Sequence, residues 1–334
     1  MAAVQPRPTL ADVAKLAGVS AKTVSRVYAD PASVSPETTA RIRAAADRLR
    51  FRPNLLARDL RRGGVSSTVA FVTAEFTNQF YIQVAAGIER ECAAHGLTMV
   101  LASSDDAQRE QQVIDTLVTQ RVQAVLFVPL GDDHSYLDGE RRLGTAIVAI
   151  DRPARNLLAD SVVLANRQGA YLATRQLVER GHSRIGYVCN PAAVYTQAER
   201  LAGYRQALAE AGLPAGSDWV RSADDPSVPL ERLVGELLDA PEPPTALIGG
   251  NNRATVGAVR ELRARGAEVA LVGFDDFDMA DVFGISVIAH DPVEMGATAA
   301  RLALKRLANP TGMTGVVELP VRYIARGSGE LPPV

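Results

Sequence analysis

The chain has 334 residues, a net charge of −2, 47% hydrophobic residues and 22% charged ones. That length supports two or three domains with sizeable cores, and the balanced charge excludes a chain that grips nucleic acid over its whole surface. The charge is unevenly spread, however: residues 1–62 carry 12 Lys and Arg against 5 Asp and Glu, a net +7, and the remainder is net −9. A basic end on an acidic body attracts phosphate at one place only. Two distant cysteines, Cys92 and Cys189, with no CxxC or Cys/His spacing, support neither a disulfide framework nor a zinc site. No signal-peptide pattern and no apolar run near 18 residues is found, so the expected location is the cytoplasm, without a membrane partner.

In chain order, residues 1–8 read as a Pro-containing tail. Thr9 can cap a first helix, with Asp12 as its box partner. Leu10, Val13, Ala14 and Ala17 recur at the i, i+3, i+4, i+7 spacing of one buried helix face. Gly18 stands where a left-handed helix exit is needed, and Ser20 opens a second helix whose buried side is Val24 and Val27. A small residue, a glycine four later and a branched residue six after that form a helix-turn-helix pattern. The outward positions Ala21, Lys22, Thr23, Ser25 and Arg26 are short, polar or basic, which suits a major-groove floor. An ordinary helical hairpin has the same glycine turn, and the basic charge of this end weighs against it.

Residues 29–34 read as a loop. Ser35, Pro36 and Glu37 open a third helix to about Leu49, with Ile42, Ala45, Ala46 and Leu49 inward and Arg41, Arg43, Arg48 and Arg50 outward. Pro53 ends that run, Asn54 can cap a short helix, and Gly63-Gly64 releases the chain. So short a helix is marginal alone and needs a second copy of itself or DNA as a partner.

From residue 67 onward, strand-like runs at 69–73, 97–102, 124–128, 146–150, 161–164, 185–189, 246–248 and 269–273 alternate with helical segments such as 80–95, 107–120, 167–180, 196–211 and 253–265. Such alternation implies right-handed βαβ units and parallel sheets, here two doubly wound lobes with a ligand between them at the carboxyl ends of the strands. The expected fold is therefore an all-α helix-turn-helix head followed by α/β. Polar residues follow the strand runs: Thr77 to Tyr81, Ser103 to Asp106, Asp151 to Pro153, Asn251-Asn252 and Asp275-Asp276, while Arg200 opens the GYRQAL helix. Taken singly, each is more simply a turn former or helix cap. Collectively they make a cleft of bidentate donors and acceptors suited to a polyhydroxylated ligand.

The stretches LADVAKLAGVSAKTVSRV, VSPETTARI, RFRPNLLARDL, ERLAGYRQAL, GFDDFDMAD and HDPVEMG together resemble the lactose-repressor (LacI) family of bacterial transcription regulators, over nearly the whole chain. The body resembles periplasmic sugar-binding proteins, as that family's does. The resemblance implies a head at 1–50, a hinge at 51–64 and an effector unit at 65–334. The lobes of that unit are approximately 65–164 with 291–320, and 165–290 with 321–330. It implies a homodimer on a near-palindromic double-stranded operator, with bases read by Ala21, Lys22 and Arg26. Ser20, Thr23, Ser25 and Asn54 contact the backbone, and Leu60 is a minor-groove wedge. For the cleft it implies Asn78, Phe80, Asp105, Arg152, Arg200, Asn251, Asn252 and Asp275, with no cofactor, no metal and a pentose, another sugar or a nucleoside as effector.

This chain departs from the family pattern at Asp59, at Gln79 (often proline), at Asn252 (usually Asp) and at His290-Asp291 (often Arg-Gln). The alternative is an α/β enzyme with an accessory DNA-binding head, but no GxGxxG, Walker A or GxSxG elbow occurs. Residues 327–334 read as a loose end without a leucine heptad, which favours a dimer over a tetramer.

Overall fold

A computed structural model describes residues 7–52, 66–214, 217–225 and 227–333. Contacts divide the chain into two compact units, Met1–Ser66 and Ser67–Val334. The first holds α1 (Leu10–Ala17), α2 (Ala21–Ala29) and α3 (Pro36–Leu49). Thr9 and Asp12 form a reciprocal capping box on α1, and Gly18 ends it at φ 65°, a left-handed exit that glycine adopts without a Cβ penalty. Val13, Ala14, Ala17, Val24, Val27, Ile42, Ala45 and Ala46 form the buried core, with Leu49 partly buried beside them. The stretch expected as a loop at 29–34 contains a 3₁₀ turn, Pro31–Ser33, because Pro31 presets its φ.

The second unit has two six-stranded sheets. The first runs β11-β5-β4-β3-β1-β2 and is parallel throughout; the second runs β12-β10-β9-β8-β6-β7, with only β12 antiparallel. The strands are β1 (Thr68–Thr73), β2 (Thr98–Ser103), β3 (Ala124–Phe127), β4 (Ala146–Ile150), β5 (Asp160–Leu164), β6 (Ile185–Cys189), β7 (Val220–Ser222), β8 (Ala246–Gly249), β9 (Ala270–Phe274), β10 (Ser286–Ala289), β11 (Val316–Leu319) and β12 (Arg322–Ile324). Helices α4 (Gln79–Ala94), α5 (Ala107–Thr119) and α11 (Pro292–Ala308) cover the first sheet, and a short α6 (Asp138–Arg142) precedes β4. Those of the second are α7 (Asn166–Glu179), α8 (Tyr195–Glu210), α9 (Leu230–Leu238) and α10 (Asn252–Arg265). Central strands are buried on both faces, as helices on each side require.

Four strands lie outside the runs expected from sequence. β7, β11 and β12 are short, half-exposed or alternating and close the sheet edges, where no continuous apolar run is needed. β10, SVIA, is buried but only four residues long. The tail is also not loose. Ser328 Oγ donates to the Leu271 carbonyl, Glu330 accepts from Ser286 and Tyr323, and His182 meets the Leu331 carbonyl at 2.9 Å. These polar anchors lie far apart in the sequence, which is why local composition hid them.

Glycine sets the closest helix approach in the first lobe. On α4 and α11, a Cβ at Gly87 would run into the Val293 carbonyl, and one at Gly296 into the Val84 carbonyl. Replacing Gly296→Ala is therefore expected to force the helices apart at a cost of about 1–3 kcal/mol or more. A lower thermal midpoint, followed by circular dichroism, measures it; an unchanged midpoint would contradict this packing.

Candidate functional site

Between the two lobes, at the carboxyl ends of the strands, lies a cavity of about 180 Å³. Among its lining residues are Glu75, Asn78, Phe80, Tyr81, Asp151, Arg152, Asn190, Gln197, Arg200, Asn251, Arg253 and Asp275. The two lobes contribute matching constructions. Asp151 follows β4 at φ 72° and Asp275 follows β9 at φ 70°, both in the left-handed region that non-glycine residues seldom adopt. Each donates its backbone N–H to the next strand, Asp151 to Val162 and Asp275 to Ile288. Each carboxylate lies beside an arginine, half-buried Arg152 in the first lobe and buried Arg200 in the second.

In the first lobe, Arg152 Nε and Nη2 donate to Asp151 Oδ2 at 3.3 and 3.1 Å, and Nη2 also reaches the Tyr81 hydroxyl at 3.3 Å. Burial pulls the Arg152 guanidinium down, but Tyr81 and Asp151 outweigh it and hold the group above its ordinary value. Burial and the Asp151 charge push the Tyr81 phenol up, so it remains a neutral donor and acceptor.

In the second lobe, Arg200 is 3% exposed. Its Nε donates to Asn166 Oδ1 and its Nη1 to the Gly250 carbonyl, both at 2.7 Å, while Nη2 lies 3.6 Å from Asp275 Oδ1. The guanidinium also sits over the Phe274 ring, 3.6 Å from its centroid. His290 Nε2 lies 3.0 Å from Asp275 Oδ1. Burial raises the Asp275 carboxyl, but Arg200, His290 and the Asn252 backbone N–H prevail and hold it below the usual carboxylate range.

α8 explains how one helix serves both cleft and core. Its first two turns bury the polar Thr196, Gln197 and Arg200, and its later turns bury Leu201, Tyr204, Ala207 and Leu208. Gln197 Nε2 donates to the Gly250 carbonyl at 3.1 Å, which leaves Gln197 Oε1 buried and without a partner among the described residues. Phe80 lines the cavity in edge contact with Tyr81 and His290, centroids 4.9 and 5.3 Å apart.

Of the eight residues expected in the cleft, Asn78, Phe80, Arg152, Arg200, Asn251 and Asp275 line the cavity; Asp105 and Asn252 do not. Asp105 is exposed because β2 is an edge strand, and the turn after it is used by Asp106 to cap α5. Asn252 turns its side chain toward Asn78 instead. Asn251 touches the cavity while its Oδ1 caps α10. Tyr81 and Asp151 belong to strand-end stretches that the sequence points to without singling them out, whereas Gln197, Asn190, Glu75 and Arg253 are missed by it. Gln197 had a usable signal: it stands three residues before Arg200 on one helix face.

On the head, Ala21, Lys22, Ser20 and Arg26 are exposed along α2, and Thr23 and Ser25 are half-buried. Ser20 Oγ accepts the Thr23 N–H at 3.1 Å and lies 2.8 Å from Thr23 Oγ1, so both hydroxyls help hold the start of α2. Neither Lys22 nor Arg26 has an ion-pair partner among the described residues. Asn54, Asp59 and Leu60 lie outside the described residues.

Residues 66–326 match the model for periplasmic binding proteins and the sugar binding domain of the LacI family, and residues 9–54 match that for bacterial regulatory proteins of the lacI family. The chain is 30% identical to the ribose operon repressor of Escherichia coli strain K12, over 96% of this chain and 99% of that one. A solved complex of the transcriptional regulator CelR with cellobiose is 30% identical, with a TM-score of 0.72 over 97% of this chain and 100% of that one. The lac repressor dimer bound to operator and the anti-inducer ONPF has the same fold, with a TM-score of 0.85 at 24% identity over 98% of this chain and all of that one.

Arg200→Ala would leave Asp275 buried without its cation, at an expected cost of about 3–5 kcal/mol in denaturant unfolding. Because the Asp275 carboxyl is depressed in the folded chain, its ionised form contributes stability that is complete above its unfolded value of about pH 3.9 and is lost as pH falls toward the folded one. Asp275→Asn should therefore be less stable than wild type at pH 7, with the gap narrowing below about pH 4. A gap that widens in acid would reverse the assignment.

Proposed function

The chain belongs to the lacI family of bacterial regulatory proteins, a DNA-binding transcription regulator with a small-molecule effector domain, and from that premise we propose that a neutral polyhydroxylated ligand controls its grip on an operator. A pentose is the first choice, another sugar or a nucleoside the next. The observation that carries this reading is charge compensation in the cavity: Arg152 is beside Asp151, Arg200 beside Asp275 and Arg253 beside Glu75. A phosphorylated or carboxylated ligand would bring a charge without a free partner, at a desolvation cost. A sugar's hydroxyls match the bidentate amide, carboxylate and guanidinium groups, and Phe80 offers an apolar surface for its C–H face. The volume of about 180 Å³ favours one ring over a larger ligand. The ribose operon repressor and the CelR–cellobiose complex are sugar-related by name, which agrees with this class.

On DNA, α2 enters the major groove, with Lys22 and Arg26 reading base edges and Ala21 small enough for a methyl contact. Ser20, Thr23 and Ser25 set the helix on the backbone; Asn54 and the Leu60 wedge belong to the same scheme. Two copies act together, as in the operator-bound lac repressor dimer, in the cytoplasm. Ligand and operator then share two lobe arrangements, and each must alter the other's affinity by the same factor.

Duplexes selected from a random pool by the full chain supply an operator for anisotropy titrations. Arg26→Ala is expected to cost about 1–3 kcal/mol and to relax preference at one base pair per half-site. With wild type, D-ribose, D-xylose, D-glucose, adenosine and D-ribose 5-phosphate are compared, and a neutral member is expected to shift operator affinity about 5–150-fold. A shift by the phosphate ester alone would overturn the neutral-ligand reading, and no shift by any would remove this effector class.

A further inference from the structure

The loop between β1 and α4, together with the first residue of α4, reaches across to the second lobe at three points. Glu75 pairs with Arg253 at 3.1 Å, Asn78 Oδ1 accepts from Asn252 Nδ2 at 2.8 Å, and Gln79 Oε1 accepts the Asp278 N–H at 3.4 Å. The first is exposed and screened by solvent, and the third is long. The middle contact is short and partly buried.

Its polarity is fixed from one side. Asn78 Oδ1 accepts the Phe80 N–H at 3.1 Å as the cap of α4, so the oxygen of this amide, not its nitrogen, faces both groups. Asn252 must therefore present its nitrogen. The orientation strands Asn252 Oδ1, which is buried without a partner among the described residues. The backbone N–H of Asn252 meanwhile donates to Asp275 Oδ2 at 3.3 Å. A carboxylate at 252 could not make this link. Acceptor-only, it would present an oxygen to the Asn78 oxygen with no proton to share between them.

We infer that Asn252 is a positioning residue of the cavity, which acts through Asn78 to hold the start of α4, and with it cavity-lining Phe80, against the second lobe before any ligand arrives. The cleft of the free protein is then closed by the chain's own amides, and ligand entry requires this bond to open. The inference relies on the proposed function only for what the closed cleft receives, and its test uses no ligand.

The test is a distance measurement by pulsed electron resonance on the full-length chain, with nitroxides at Glu89→Cys on α4 and Ala264→Cys on α10. Labelled protein is diluted into unlabelled protein so that distances within one chain are read. Cys92 and Cys189 are buried, their thiols pushed up to about 11 by burial, and escape labelling. The otherwise unchanged chain is expected to give one short distance. Asn252→Asp should add a longer one, lowering the closed-to-open ratio roughly 2- to 10-fold, the worth of one neutral hydrogen bond. Asn78→Ser, whose hydroxyl still caps α4, should do the same, and the double variant should open no further than either. A general loss of packing at each site would instead add up. Asn252→Asp with the original distance and an intact circular dichroism spectrum overturns the inference, as does a broad distribution before any mutation. Should Asn252→Asp fail to fold, Asn78→Ser decides the matter alone.

Discussion

A guanidinium with almost no access to water anchors the effector unit. Arg200 leaves α8 between the lobes and is held by a carboxylate, an amide oxygen, a carbonyl and an aromatic face at once. Those partners come from β9, from α7 and from the end of β8, so one charge ties three elements of the second sheet to the cavity wall. A buried cation is tolerable only when so fully engaged, and removing any partner leaves the others poorly satisfied. The cost of the arrangement is visible in the backbone, where Asp275 occupies left-handed space to present its oxygens.

The same device recurs in the other lobe with Asp151, Arg152 and Tyr81. Its repetition at equivalent strand ends gives the cavity two rigid polar walls whose charges cancel internally. Such walls offer directional hydrogen bonds without a net field, and the proposed preference for hydroxyl-rich neutral ligands over anions rests on that property. Rigidity within each lobe matters for signalling as well. Under the proposed function, walls bonded internally in this way leave movement of one lobe against the other as the two-state element that coupling between distant sites requires.

Asn252 and Gln79 stand where the family pattern differs, and both make contacts between the lobes. An amide at 252 in place of the family's usual acid supplies a donor to the facing lobe. In the latch proposed above, that change of one functional group, with no change in side-chain size, is what favours the closed cleft.

The sequence by itself determined the head and the general plan of the body. Helix periodicity, caps and the glycine turn are local, and each fixes backbone geometry within a few residues, so Thr9, Gly18, Ser20 and the apolar faces of α1 to α3 were all readable. Alternating apolar runs and amphipathic segments specified two parallel-sheet lobes in the same way. Strand ends marked Asn78, Arg152, Asn251 and Asp275 as cleft residues because parallel topology brings such ends together, and the family resemblance added Arg200 from its helix. Only the tertiary structure decided which polar groups meet. Asp105 follows a strand as Asp151 does, yet β2 is an edge and its end falls away from the cavity. Asn252 neighbours a cavity residue, yet its amide is captured by Asn78, 174 residues away in sequence. Edge strands and the tail likewise depend on partners far along the chain. Local propensity carries no information about those distances; closure of long loops and pairing of buried polar groups do.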